Sequence, residues 1–111
     1  MDKLESYRSL IQQIIHRHSK HAPSHGAIEA IPVCDIASDN YMLLDAGWDR
    51  TGRVHAVAFH LRIREGKIKV EWDGTEYGIA QELIDAGVPP EEIVLSFYRP
   101  ERLPQMERAA A

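Results

Sequence analysis

Near the N-terminus apolar side chains return every three or four residues: Leu4, Tyr7, Ile11 and Ile14, continued by His18 and widened by Leu10 and Ile15. That period predicts an amphipathic helix. Asp2 with Glu5 three residues on forms a variant of the capping box, and Arg17 and Lys20 near the far end suit the helix dipole. Pro23 closes the helix by about His21.

From Ala27 to Trp72 the period changes to two. Ala27–Asp35 reads as a first strand, which Pro32 demotes toward an edge or a bulge. Asp39-Asn40 marks a turn, Tyr41–Trp48 a second strand, and Asp49–Arg53 a glycine-containing loop into a third. In that third strand Val57, Phe59, Leu61 and Ile63 alternate with Ala58, His60, Arg62 and Arg64, which predicts a core face and a solvated face. A two-residue hairpin turn at Glu65-Gly66 then sets Ile63 opposite Ile68, Leu61 opposite Val70 and Phe59 opposite Trp72. On the other face the same register sets His60 across from Glu71 and Arg62 across from Lys69.

After Asp73-Gly74, Thr75 is placed to cap a second helix over Glu76–Ala86, with Ile79, Ala80, Leu83 and Ile84 as its apolar stripe. Gly78 falls in its first turn, where glycine implies close backbone packing, and Gly87 suits the left-handed position after its end. Ile93–Tyr98 is short and apolar and predicts a further strand. The expected fold class is α+β: an N-terminal helix, a four-stranded antiparallel meander, a second helix and a short C-terminal strand, in one domain over residues 1–111. Helices on one side of such a sheet leave the other side to water or to a second subunit, and an open sheet with an uncovered face favours a symmetric homo-oligomer.

Composition supports a folded chain, since 44% hydrophobic and 27% charged residues are ordinary for a globular domain. The single cysteine, Cys34, excludes an internal disulfide and a Cys-rich zinc module. Charged residues at Asp2, Lys3 and Glu5 stand where a signal peptide needs an apolar run, and no stretch is long and apolar enough to span a bilayer, so a cytoplasmic protein with no membrane partner is expected. A net charge of −4 gives no general attraction to nucleic acid.

Candidate chemistry is sparse. His16, His18, His21 and His25 cluster in sequence, but Pro23 breaks the helical spacing and no acid or thiol in that segment completes a zinc site. His60 opposite Glu71 has the form of an acid/base pair, for which an exposed cross-strand charge pair is the plainer account. Asp49 with Glu65-Gly66-Lys67 matches a nuclease-like spacing in letters, but Glu65 lies at a hairpin tip. Cys34 is expected to be a small buried hydrophobe, and Trp48, Phe59 and Trp72 are expected in the core. Arg50, Arg53, Arg62, Arg64, Lys67 and Lys69 gather near two hairpin ends and form the only locally basic surface. No catalytic, cofactor-binding or metal residues are assigned and no cofactor is expected; a small metal-dependent hydrolase or nuclease using His60 and Glu71, or a direct DNA binder using the six cations, are the alternatives.

Several blocks in one order carry a resemblance. They include Leu4-Glu5-x-Tyr7 with Ile11-Gln12-Gln13-Ile14, Tyr41-x-Leu43-Leu44 before Gly47-Trp48-Asp49, and Arg53-Val54. Asp73-Gly74-Thr75-Glu76-x-Gly78-Ile79-Ala80-x-Glu82-Leu83, Gly87-Val88-Pro89 and Ile93-Val94-Leu95-x-Phe97 follow. Together they resemble the XisI proteins over nearly the whole chain. The resemblance implies an accessory factor controlling excision of the fdxN DNA element during heterocyst differentiation in cyanobacteria, with an XisH-type partner and no catalytic residues. The tail Met106-Glu107-Arg108-Ala109-Ala110-Ala111 departs from the family's usual ending, with Arg108 in place of an aromatic.

Overall fold

The computed structural model describes residues 2–20 and 27–99. His21, Pro23, His25 and the tail Met106–Ala111 lie outside the described residues. Helix α1 spans Lys3–Lys20 and begins as its sequence implies, with the Glu5 backbone N–H donating to Asp2 Oδ1 at 2.8 Å. Strands β1 (Ala27–Asp35), β2 (Asn40–Asp49), β3 (Gly52–Arg64) and β4 (Lys67–Asp73) form an antiparallel meander. Helix α2 (Ile79–Asp85) and a short 3-10 turn (Pro90–Glu92) lead to β5 (Ile93–Leu95), which pairs parallel to β4. The sheet order is β1-β2-β3-β4-β5, so β1 is an edge strand, where the missing N–H of Pro32 costs no ladder bond.

Tyr41, Leu43, Phe59, Leu61, Ile63, Ile68 and Val70 line the inner face of the sheet and are buried. Tyr7, Ile11, Ile14 and Ile15 of α1 and Ile79, Ala80 and Leu83 of α2 close over them in one core. Helical and strand periods thus meet on one side of the sheet, as expected of α+β.

Two β-bulges change which residues that side receives. Between β2 and β3, Leu43 pairs with Phe59 but Leu44 pairs with Val57, leaving Ala58 as the extra residue. Between β3 and β4, Leu61 pairs with Val70 but His60 pairs with Trp72, leaving Glu71 as the extra residue. Each insertion reverses the side-chain alternation beyond it. Val57 therefore leaves the face of Phe59, and Trp72 leaves the face of Val70. The pairings of Ile63 with Ile68, Leu61 with Val70 and Arg62 with Lys69 hold, whereas Phe59 pairs with Asp73 and His60 with Trp72. The carbonyl of the bulged Ala58 is not orphaned, because Gly74 N–H donates to it at 2.7 Å.

The same reversal turns Asp73 toward the helices, where it takes the first backbone N–H of α2, while Thr75, expected as the cap, accepts from Gly78 N–H at 3.2 Å just before the helix. The Asp73 carboxylate accepts from the backbone N–H of Ile79 (2.7 Å) and from the N–H and hydroxyl of Thr75 (2.9 and 2.6 Å). The helix consequently starts at Ile79 rather than Glu76, and Gly78, at φ 99°, precedes it in a conformation that disfavours other residues. It closes in a Schellman turn: Gly87, at φ 104°, donates to Ile84 O and Val88 to Leu83 O, each at 3.0 Å.

Gly47 is fixed by a close approach. A Cβ on it would stand 1.9 Å from the carbonyl oxygen of Ala27 on β1, and its φ is 154°. Only glycine lets β1 lie against β2 there.

Candidate functional site

Polar side chains tie the helices to the sheet, to each other and to the turn before β5 at three places. At the β1–β2 turn, Arg8 of α1 grips Asp39 with two bonds, Nε to Oδ1 at 2.8 Å and Nη2 to Oδ2 at 3.0 Å, while the Tyr41 hydroxyl donates to Oδ1 at 2.7 Å. The guanidinium holds the Asp39 carboxyl below its ordinary range, and burial beside that carboxylate pushes the Tyr41 phenol up. Between the helices, Glu82 of α2 receives Arg17 and also His18, whose Nε2 lies 2.7 Å from Oε2. The His18 ring meets Phe59 edge-on, with centroids 5.2 Å apart. Where the chain reaches β5, Glu92 takes the Tyr7 hydroxyl and Lys3 Nζ, each at 2.8 Å. Burial first and that carboxylate second push the Tyr7 phenol up to about 12.

The residues singled out from sequence come together only in part. His60 does not face a carboxylate: its Nε2 lies 3.0 Å from Asn40 Oδ1, and the bulged Glu71 pairs with Arg62 at 3.5 Å. Burial is the main force on its imidazole and lowers its pKa; the Glu71 charge opposes this and Arg62 adds to it. His18 is taken by Glu82 and His16 is exposed; among the described residues no group of three or more His, Cys, Asp or Glu is placed to hold a metal ion. Asp49 and Glu65 lie at opposite ends of the 13-residue β3, roughly 40 Å apart along an extended strand, so they do not converge with Lys67. Asp49 instead accepts from the N–H and hydroxyl of Thr51 to form its turn.

Three expectations of burial fail. Cys34 is exposed on the edge strand rather than buried. Trp48 and Trp72 are 60% and 53% exposed, and of the three aromatics only Phe59 is in the core. The cations occupy the two hairpin ends as expected, Arg53 lying over the Trp48 ring at 5.6 Å.

What the sequence pattern missed is therefore a surface: the outer face of the sheet, holding Val33, Trp48, Val57 and Trp72 in the open. A faint signal was present, since Ala56-Val57-Ala58-Phe59 is a run of four apolar residues where strict alternation calls for a polar one.

Comparison with known proteins decides the lineage. The family model described as "XisI protein" matches residues 1–110. The chain belongs to the XisI family. Among solved structures, an XisI-like protein from Anabaena variabilis ATCC 29413 superposes with a TM-score of 0.85 at 26% identity, covering 92% of this chain and 94% of that one. The fdxN element excision controlling factor XisI from the same organism superposes with a TM-score of 0.77 at 35% identity, covering 91% and 98%. No curated protein matches. The XisI fold is thus the helix, meander, helix and short strand described above. Among the described residues no helix is long and apolar enough to cross a membrane.

Proposed function

We propose that this XisI-family chain is a non-enzymatic controlling factor for excision of an fdxN-type DNA element in a differentiating cyanobacterial cell, acting through an XisH-type protein. The observation that carries the reading is its 35% identity, over 91% of its length, to a protein named as the fdxN element excision controlling factor XisI. Its side chains support an accessory role. On the outer face of the sheet His60 leans on the amide of Asn40, and the nearest acid, Glu71, is engaged by Arg62, so no carboxylate orients that imidazole as a general base. Glu82, Asp39 and Glu92 are each occupied in joining helix to sheet or helix to helix.

Co-expression with an XisH-type protein tests the reading. A stoichiometric complex that survives gel filtration at micromolar concentration is expected, and deletion of this chain should reduce excision without altering the recombinase. Separate elution of the two proteins, or excision unaffected by the deletion, would refute it.

A further inference from the structure

The outer face of the sheet carries two patterns at once. Register places Val33, Met42, His60 and Trp72 in one row across β1 to β4, with Ile31, Leu44 and Val57 in the row beside it. An apolar band therefore crosses the sheet, interrupted only by an imidazole that burial keeps toward its neutral form. Charge is divided on either side of that band's centre. Of the three acids on the outer face, Glu29 and Asp35 stand on β1 and the bulged Glu71 on β4, whereas Arg53, Arg62, Arg64, Lys67 and Lys69 all stand on β3 and β4. The bulged Glu71 answers only Arg62. Asp35, Asn40, Arg62 and Lys69 form a single row, acidic at one end and basic at the other.

A surface graded this way complements itself. We infer that it is the interface of a symmetric homodimer, two copies stacking outer face to outer face about a two-fold axis parallel to the strands and between β2 and β3. This operation lays β1 of each copy over β4 of the other and β2 over β3. Asp35 then faces Lys69 of the second copy, Asn40 faces Arg62, Val33 faces Trp72 and Met42 faces His60. A two-fold axis across the strands would instead lay acid over acid and base over base. Four strands at their usual spacing, with the lengths of β2 and β3, give a footprint of roughly 500–600 Å² per copy, about 1,000 Å² or more in total, which reaches the lower limit of a specific interface. Exposed tryptophans near a band poor in acids fit the core of such a contact. A nucleic-acid strand fits less well, because it would cross Glu29 and Asp35 on a chain of net charge −4.

Sedimentation equilibrium of the isolated protein at low salt tests this independently of any XisH-type partner. Wild type is expected to be a dimer at micromolar concentration. Asp35→Lys and Lys69→Asp, each alone, set like charges opposite one another twice and should weaken the dimer by about tenfold or more. Mixing the two variants makes both pairs attractive again, so the equimolar mixture should recover a dimer containing one of each. Because Asp35 also accepts bonds from Ala37 N–H and Ser38 in its turn, Asp35→Asn, which keeps an acceptor and drops the charge, should weaken association in the same direction but less. A wild-type monomer, variants that associate as tightly as wild type, or a mixture that stays monomeric would each overturn the inference. Quenching of tryptophan fluorescence by an oligodeoxythymidylate in a wild-type monomer would assign the face to single-stranded DNA instead.

Discussion

The two faces of this sheet are made from the same strands and differ almost completely. Inward, every large side chain from Tyr41 to Val70 at a core position is nearly sealed, with Phe59, Leu61, Ile68 and Val70 at 0% exposure. Outward, Val33 and Val57 remain 37% exposed and the two tryptophans more than half. The inner face finds its cover within the chain, because α1 and α2 bring their own stripes to it. Among the described residues no helix covers the apolar outer face, where Phe97 meets the Trp72 ring edge-on at 6.3 Å, and two bulges have enriched that face by sending Val57 and Trp72 there. Apolar residues on a strand therefore do not report one thing: one set makes the domain fold, and the other gives it a surface to offer.

Substitutions can break that contrast, beginning with the inner face. Leu61→Ala should cost about 3–4 kcal/mol in urea unfolding, the transfer and cavity terms of a sealed leucine. Gly47→Ala should cost roughly 2–4 kcal/mol, since its Cβ would collide with Ala27 O and its φ suits glycine; hydrogen exchange should show β1 opening first. Asp39→Ala, which strands Arg8 and Tyr41 at the partly open β1–β2 turn, should cost about 1–2 kcal/mol. Val57→Ser, measured where the protein is dilute and monomeric, should fall within about 0.5 kcal/mol of wild type. If it matches Leu61→Ala, the contrast between the faces is wrong.

Acid sharpens the comparison further. His60 has a lowered folded-state pKa, so the unfolded chain takes up its proton first as pH falls. Its contribution is complete above the ordinary histidine range near 6.5 and is lost progressively as pH drops through that range toward the folded value. Asp39, also lowered, acts in the same direction but only in the carboxylate range. A stability-against-pH curve for His60→Gln should lack the upper of these two declines and keep the lower one.

Much of the fold was legible because period and punctuation agree along most of the chain. Asp2, Pro32, the Glu65-Gly66 turn and Gly87 each act locally, and each stands where its chemistry implies. The site was less legible because it depends on Ala58 and Glu71, two residues whose insertion into the ladder is decided by neighbouring strands. Once Glu71 is bulged, the expected His60–Glu71 pair cannot form, Trp72 turns outward and Asp73 takes the first backbone N–H of α2. The ties Arg8–Asp39 and Tyr7–Glu92 join positions far apart in sequence, and nothing at either end announces the other.

That last tie bears on how the molecule is made. Tyr7 and Glu92 are 85 positions apart, so during synthesis the opening helix emerges long before the carboxylate that fastens it. A nascent chain can lay α1 on β1 and β2, the strands it touches, and engage Arg8 with Asp39 early, but the Glu92 end of the fastening is added last. Chains stalled behind a linker long enough to carry β5 out of the exit tunnel are expected to resist protease better than fragments ending before Glu92, which lack this fastening.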